Sequence, residues 1–288
     1  MKKVPFFNYP QVFTRFEDEL TEIILDVCRR GSFIMQQELL DFENNLARFS
    51  EANYALGVAN ATDGLIIALR AANIGKGDEV IFCSHTMVAT AASIAMVGAT
   101  PVPVEVGYGR TIDINSIEPA ITSRTKAIMP TQLNGRVADM DSIMQIADSH
   151  DLLVIEDAAQ ALGARYRDKH AGTFGFASAI SFFPAKVLGC FGDGGAVLCQ
   201  DSNVYERLFR LRDHGRGLDR EIVEWSGNTR LDNLQAAVLD LKLKNYQLDM
   251  NRRREIARKY TEQLGEIEHL CLPPGPYEDD KYYDIYQN

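Results

Sequence analysis

A lysine and an acid, each at the end of a strand-like apolar run, could together perform carbonyl chemistry. Lys186 closes the run Ser181-Phe182-Phe183-Pro184-Ala185-Lys186, and Asp157 follows the strand-like run 152–156, whose first four residues are apolar. Burial is costly for a charged amine and lowers its pKa, and a neutral amine can condense with an aldehyde. A pyridoxal-phosphate site needs such a lysine for the aldehyde and an acid for the pyridine nitrogen. A surface lysine and a solubilising strand-end Asp would explain either residue alone but not the pair.

The elements that must position these side chains alternate along the chain. Short apolar runs predict strands, and longer runs with helical spacing predict helices between them. The predicted strands are 55–58, 79–82, 101–104, 127–130, 152–156, 178–182 and 196–199, and the predicted helices between them are 63–73, 87–98, 115–121, 141–150 and 203–213. This alternation predicts an α/β fold with a mainly parallel sheet between helices. Ligands gather at the carboxyl ends of such strands, which is where Thr62 and Asp157 fall.

The turn that contains Ala61, Thr62 and Asp63 is a candidate phosphate site. It stands between the strand that ends near Val58 and the helix that begins near Asp63. Free N–H groups and the partial positive charge of a helix start favour bound anions. Without the other motifs, Thr62 and Asp63 would indicate only a helix N-cap.

Composition narrows the class of protein. The chain has 288 residues, 46% of them apolar, and a net charge of −10. This size and composition predict a globular protein with a sizeable core, and the negative charge argues against nucleic-acid and anionic-membrane partners. No apolar stretch approaches the roughly 20 residues that span a bilayer. The five cysteines have no paired spacing, which suits a reducing compartment, so we expect a cytoplasmic protein.

Several motifs, in order along the chain, resemble those of the DegT/DnrJ/StrS aminotransferases. They are Asn60-Ala61-Thr62-Asp63-Gly64, Glu156-Asp157-Ala158-Ala159-Gln160, Ser181-Phe182-Phe183-Pro184-Ala185-Lys186, Gly192-Asp193-Gly194-Gly195 and Asn228-Thr229-Arg230-Leu231-Asp232. The resemblance implies a fold-type I enzyme that uses pyridoxal 5'-phosphate. It also implies an amino-acid donor, with L-glutamate expected, and a keto-deoxysugar acceptor carried on a nucleotide.

The resemblance also implies roles for single residues. Lys186 would bind the cofactor aldehyde, and lysine rather than histidine at this position implies transamination rather than dehydration. Asp157 would pair with the pyridine nitrogen. Gln160, placed one helical turn later, would reach the ring's hydroxyl side, although an exposed helix position also explains it. Ala61, Thr62 and Ser181 would bind the phosphate, and Asn228 would reach the phosphate of a neighbouring subunit, which predicts a homodimer with shared sites.

Some positions depart from the family pattern. An aromatic residue usually covers the pyridine ring where this chain has Met87, whose thioether can also cover a ring face. His85 is an alternative for that role. Gln132 and Asn134 stand where histidine and an aromatic are usual, and Gln36 where glycine is common. We expect these changes to surround the site and to affect substrate identity rather than cofactor chemistry.

Two motifs have a simpler interpretation than the chemical one. Gly192, Gly194 and Gly195 lack the last glycine of a dinucleotide-binding loop and predict a tight turn instead. Asp139 and Asp141 are spaced like a metal pair, but acids in the first turn of a helix explain them better. The dispersed histidines predict no metal site.

The sequence predicts one large domain and part of a second, smaller one. Residues 1–245 would form a large cofactor-binding α/β domain with an N-terminal helix over 12–30. Residues 246–288 would supply a linking helix and the start of a small C-terminal domain, which the resemblance implies is incomplete.

Two alternatives to a nucleotide-sugar aminotransferase stay open. One is an enzyme that aminates a carbocyclic ketone, and the other is a non-catalytic protein that binds the cofactor for regulation or assembly.

Overall fold

The computed structural model describes Pro5 and residues 7–287. Within these residues the α-helices are α1 (Tyr9–Thr14), α2 (Glu17–Arg30), α3 (Gln37–Ser50), α4 (Ala61–Ala71), α5 (Val88–Met96), α6 (Met140–Ser149), α7 (Ser202–Arg212), α8 (Asn233–Leu243) and α9 (Tyr246–Leu264). The strands are β1 (Tyr54–Val58), β2 (Glu79–Cys83), β3 (Thr100–Val104), β4 (Thr125–Met129), β5 (Leu153–Asp157), β6 (Arg165–Tyr166), β7 (Lys169–His170), β8 (Ala177–Ser181), β9 (Gly195–Cys199) and β10 (Tyr282–Tyr283).

The described strands form a central sheet of seven with the order β1-β9-β8-β5-β4-β2-β3. Neighbours from β8 to β3 pair in parallel, whereas β9 runs antiparallel to both β1 and β8. Buried parallel strands carry near-continuous apolar runs, and all five residues of β2 are buried. The expected mainly parallel sheet is therefore observed, with β9 as the exception.

Each face of the sheet is covered by its own set of helices. Residues alternate along β9, so that Ala196 and Leu198 belong to one hydrophobic cluster and Val197 and Cys199 to the other. Helices α3 and α8 cover the first cluster, and α4 and α7 cover the second. The acid pair at the end of β5 follows the same alternation, so the side chains of Glu156 and Asp157 point to opposite faces.

The predicted strands of the central sheet match the observed ones to within two residues, but two helical predictions need correction and one helix was missed. The predicted helix 12–30 is broken near Phe16 into α1 and α2. The predicted helix 115–121 is two short 3₁₀ turns, Ile114–Ser116 and Glu118–Ala120, and Pro119 has no amide to continue a helical ladder. Helix α3 was not predicted, although Leu39, Phe42 and Leu46 lie buried at helical spacing.

A smaller sheet with the order β10-β6-β7 stands beside the central one. It was not predicted, because strands of two residues leave almost no periodic signal. After β10, residues 284–287 run along the central domain next to the loop that carries Lys186. Among the described helices, none has the length and hydropathy required to cross a membrane.

Candidate active site

Asp157 ends β5 with its carboxylate buried and only partly satisfied. Its side chain is 4% exposed, and burial raises the pKa of this carboxyl group. The Thr90 hydroxyl donates to Oδ2 over 2.6 Å, and the Ala159 amide donates to Oδ1 over 3.2 Å. Both bonds favour the ionised form and offset part of the burial effect. The acid is thus fixed in place and would gain from a positively charged partner.

Thr90 belongs to a small hydroxyl network that sequence reasoning missed. Thr86 lies within hydrogen-bond distance of both Thr90 (2.7 Å) and Thr131 (2.9 Å). Thr86 lies two residues before α5 and Thr90 lies in its first turn, so their hydroxyls meet at the start of this helix. Their spacing was visible in the sequence, but only the fold brings Thr90 against Asp157.

The Lys186 amine lies in the same region as Asp157. Burial lowers the pKa of Lys186, whereas the negative charge of Asp157 acts to raise it. Lys186 lies in the loop between β8 and β9, and its amide donates to the Phe183 carbonyl over 2.8 Å. The structure therefore brings the predicted lysine and acid close enough for their charges to interact.

The N-terminus of α4 faces the ends of β8 and β9. Asn60 caps this helix by accepting from the Asp63 amide over 2.9 Å. Ser181 ends β8 opposite Gly195. A Cβ atom on Gly195 would lie 2.6 Å from the Asn60 carbonyl carbon and 2.7 Å from the Ala61 nitrogen. Only glycine allows β9 to pass so close to the helix start, which places Ala61, Thr62 and Ser181 around one point.

The chain segment around Asn228 supports the same helix start from another side. The Thr229 hydroxyl donates to Asp63 Oδ2 over 2.8 Å, and the Ala59 amide donates to the Thr229 carbonyl over 3.1 Å. Asn228 itself is exposed and shares a cavity of about 470 Å³ with Ala59, Gly192 and Arg230. Thr229 is a second residue that the motif reading did not single out.

Gln160 lies in a turn, not on the helix that was predicted after Asp157. Ala161 N donates to the Ala158 carbonyl over 3.0 Å, which closes a tight turn directly after β5. The side-chain oxygen of Gln160 accepts from the Asn134 amide over 2.8 Å. Gln160 therefore stands beside the end of β5 and is tied to the loop that contains Asn134.

Met87 precedes α5, one turn before Thr90. Its side chain is 63% exposed, and its carbonyl accepts from the Thr90 amide over 3.1 Å. His85 Nδ1 lies 3.3 Å from the Arg110 carbonyl, on the wall of a separate cavity of about 500 Å³. The structure thus ties Met87 to the residue that contacts Asp157, and it ties His85 to the Arg110 loop.

The expectation that Gln132 faces the site is wrong. Gln132 is fully buried on the opposite face of β5, where its side chain donates to Glu156 Oε2 over 2.8 Å and accepts from the Ala138 amide over 2.7 Å. Gln36 precedes α3 and donates to the Ile34 carbonyl over 3.1 Å. Asp139 caps α6, as expected for acids at a helix start.

The residues present fit pyridoxal phosphate. The buried Asp157 carboxylate suits a protonated ring nitrogen, and a lysine with a lowered pKa suits the aldehyde carbon. The start of α4 supplies backbone N–H groups and partial positive charge for a phosphate, and no hydrogen bond in the described part of the chain uses the amides of Ala61 or Thr62. Lys186 also lines a cavity of about 850 Å³, together with Val187 and Tyr286 among others.

Comparisons with known proteins agree with this geometry. The model of the "DegT/DnrJ/EryC1/StrS aminotransferase family" matches residues 15–287. The chain is 39% identical over 285 residues (99% of this chain and 75% of the relative) to the dTDP-3-amino-3,4,6-trideoxy-alpha-D-glucose transaminase of Streptomyces venezuelae. It is 44% identical over 262 residues (91% and 72%) to the dTDP-3-amino-3,6-dideoxy-alpha-D-galactopyranose transaminase of Aneurinibacillus thermoaerophilus. The crystal structure of S. venezuelae DesV with a ketimine intermediate superposes with a TM-score of 0.96 at 38% identity, covering 100% of this chain and 77% of that one.

Proposed function

Because the chain belongs to the DegT/DnrJ/EryC1/StrS aminotransferase family, we propose that it moves an amino group from an amino acid to a keto-deoxysugar carried on a nucleotide. The family confirms the predicted enzyme class and fold, and a solved relative with the bound cofactor PMP confirms the predicted cofactor. The observation that carries the proposal is that the buried Asp157 carboxylate ends β5 and that Lys186 follows β8, the parallel strand paired with β5, close enough for their charges to interact.

In this proposal Lys186, Asp157 and the start of α4 hold the cofactor at three points. Lys186 would bind the aldehyde carbon, Asp157 the pyridine nitrogen, and Ala61, Thr62 and Ser181 the phosphate. Gln160 and Met87 would border the ring. When bound, pyridoxal phosphate supplies an electron sink for the charge left at the amino acid's Cα after proton loss.

The side chains of the protein then have separate tasks. Burial lowers the pKa of Lys186 and so favours the neutral amine, which can take the proton from the donor's Cα and later return it. The Thr90 hydroxyl orients Asp157 and favours its ionised form against the effect of burial, so that the acid can hold positive charge on a ring nitrogen.

We propose L-glutamate as donor and a dTDP-linked keto-deoxysugar as the first acceptor to test. Two relatives of 39% and 44% identity are named as transaminases of dTDP-sugars with nitrogen at carbon 3. We also propose that the working unit is a homodimer in which Asn228 reaches the partner's phosphate site. Asn228 is exposed, and it adjoins the segment that braces the start of α4, which supports this proposal.

The test begins with the purified protein and added pyridoxal phosphate. Borohydride reduction followed by peptide mass spectrometry should find the cofactor on Lys186 and on no other lysine, with Lys186→Arg as the control. L-glutamate should then convert the cofactor to pyridoxamine phosphate, and the keto-sugar should reverse this. No link at Lys186 would refute the proposal, and a linked cofactor that no donor converts would favour the non-catalytic alternative. Conversion that only carbocyclic ketones reverse would favour the cyclitol alternative.

A further inference from the structure

The loop of residues 182–190, which we name the Lys186 loop, is closed by its own backbone at one end. The Cys190 amide donates to the Phe182 carbonyl over 2.8 Å, next to the end of β8. At the same end, the Lys242 amine donates to the Gly189 carbonyl. Lys186 lies near the middle of the loop, away from these closing bonds. Within the loop the Lys186 amide donates to the Phe183 carbonyl over 2.8 Å, whereas no described hydrogen bond inside the loop uses the Ala185 carbonyl or the Val187 amide.

Gln287 makes the contacts that the middle of this loop needs. Its side-chain nitrogen donates to the Ala185 carbonyl over 3.1 Å, and its side-chain oxygen accepts from the Val187 amide over 3.2 Å. The residue is 6% exposed. Ala185 and Val187 are the immediate neighbours of Lys186 in the chain. We propose that Gln287 is a positioning residue for Lys186, because its carboxamide fixes the backbone on both sides of the lysine.

The segment that presents Gln287 is itself firmly anchored. The Arg136 guanidinium pairs with the Asp284 carboxylate over 2.5 Å, and Arg254 donates to the Asp284 carbonyl over 2.7 Å. The Ile285 amide donates to the Gly135 carbonyl over 3.0 Å. Gly135 has φ +84°, and a Cβ there would lie 2.5 Å from Ile285 Cγ1, so this approach requires glycine.

The same residue also connects two parts of the proposed cofactor site. The Gln287 amide donates to the Asn134 carbonyl over 2.9 Å, and the Asn134 amide donates to the Gln160 side chain over 2.8 Å. A continuous set of hydrogen bonds thus runs from the Lys186 loop through Gln287 to Gln160. This inference rests on the proposed role of Lys186, and it adds a residue that no family motif in our sequence analysis contained.

The first experiment measures amide hydrogen exchange in the full chain and in its Gln287→Met variant. Methionine keeps the side-chain length but can neither donate to Ala185 nor accept from Val187 as an amide does. We expect exchange at Val187 to rise about 5- to 30-fold, the range for the loss of one or two net hydrogen bonds. Gln145→Met is the matched control, because Gln145 is exposed on α6.

The second readout is the pH midpoint of Lys186 acetylation in short pulses, before pyridoxal phosphate is added. A loosened loop would admit water and raise the pKa of Lys186 toward its ordinary value, so the midpoint should move to higher pH in Gln287→Met. The charged groups around the amine are Asp157 and, in the adjoining cavity, Arg15, Lys242, Asp249, Arg252 and Arg253. None of them is changed in either variant.

The outcomes separate this inference from the proposed function. Faster exchange at Val187 together with a higher Lys186 midpoint, both absent in Gln145→Met, would support positioning by Gln287. Unchanged exchange would overturn it, and faster exchange without a shifted midpoint would reduce Gln287 to a structural contact and overturn it as well. Neither readout requires the cofactor, so a chain that never links pyridoxal phosphate would refute the proposed function and still report on Gln287.

Discussion

Two acids of this protein, Glu43 and Asp157, are both buried, but their carboxylates are stabilised by different kinds of partner. Burial raises the pKa of both carboxyl groups. Glu43 bonds directly to the Arg212 guanidinium over 2.5 Å and accepts from the Gly57 amide over 2.7 Å. The described bonds of Asp157 come from a hydroxyl and an amide, and Lys186 acts on it through charge alone.

The difference separates a structural charge from one that is available for chemistry. Glu43 and Arg212 join α3 to the end of α7, and Arg212 also donates to the Gly57 carbonyl over 3.2 Å in β1. A carboxylate that is already paired with a cation through a hydrogen bond is less available to bind a positively charged ligand. Asp157 is held at the end of a parallel strand without such a cation, which is the arrangement expected of an acid that awaits a positively charged group.

The largest effect on stability is expected from Glu43→Gln. It leaves the buried Arg212 charge without its counterion, and breaking a buried ion pair in this way costs about 3–5 kcal/mol. Chemical denaturation should show this loss, whereas Asp41→Asn, an exposed acid of the same helix, should change the free energy of unfolding by less than about 0.5 kcal/mol. A loss equal to that of the control would mean that Glu43 does not differ from a surface acid.

The paired replacement Glu43→Leu with Arg212→Met sharpens this test. Replacing both members of a buried pair by apolar groups is often neutral or stabilising, so most of the single-variant loss should disappear. A double variant that is less stable than either single variant would show that the hydrogen bonds to Gly57, and not the charge pair, carry the stability.

Asp157→Asn should have the opposite effect to Glu43→Gln, a large loss of activity and a small change in stability. The amide cannot keep a ring nitrogen protonated, so we expect kcat/KM for the amino donor to fall about 10²- to 10⁴-fold. The free energy of unfolding should stay within about 1 kcal/mol of the wild-type value, because the buried charge is removed together with its desolvation penalty. Asp148→Asn, on the exposed side of α6, is the activity control. A stability loss as large as that of Glu43→Gln would erase the distinction between the two acids.

The sequence predicted where several residues of the candidate site lie, because those signals are local. Strand-like runs located β1, β5 and β8, and the motifs at their ends supplied Thr62, Asp157 and Lys186. Contacts that depend on tertiary packing were missed. Thr90 reaches Asp157 from another element, and Thr229 reaches Asp63 across 166 residues. Gln132 was misplaced because strand alternation, rather than closeness in sequence, decides which face of the sheet a side chain occupies.

His170 extends the comparison to a buried base. Its Nε2 accepts from the Gly163 amide over 2.7 Å, and its Nδ1 lies 2.5 Å from the Ala171 carbonyl, so the structure holds it neutral with the proton on Nδ1. Burial lowers its pKa from 6.5 to about 4. Between these two pH values the unfolded chain binds a proton that the folded chain does not. The free energy of unfolding should therefore decrease by up to about 3 kcal/mol as the pH is lowered from 6.5 to 4.

The pH dependence of stability in His170→Asn checks this expectation. The contribution of this group to the slope between pH 6.5 and 4 should disappear, whatever the absolute stability of the variant. His150→Asn, the same substitution at an exposed histidine, is the control. Parallel profiles for the wild type and His170→Asn would mean that His170 protonates as easily in the folded chain as in the unfolded one.

The smallest expected effect concerns Lys242, a buried cation beside the Lys186 loop. Burial lowers its pKa from 10.5 to about 8, and its amine lies over the Phe191 ring at 5.6 Å. At pH 7 the amine is charged at an energetic cost, so Lys242→Met should be as stable as the wild type or about 1 kcal/mol more stable, even without the bond to Gly189.

The pH dependence of this difference tests the explanation. Between pH 8 and 10.5 the unfolded wild type keeps a proton that the folded form has released. The stability of the wild type therefore rises over this range, and any greater stability of the variant should shrink. Lys244→Met, at the exposed C-cap of α8, is the control. A stability difference between Lys242→Met and the wild type that stays constant from pH 8 to 10.5 would show that burial does not lower the pKa of Lys242. Lys242 would then not belong among the buried charged groups compared above.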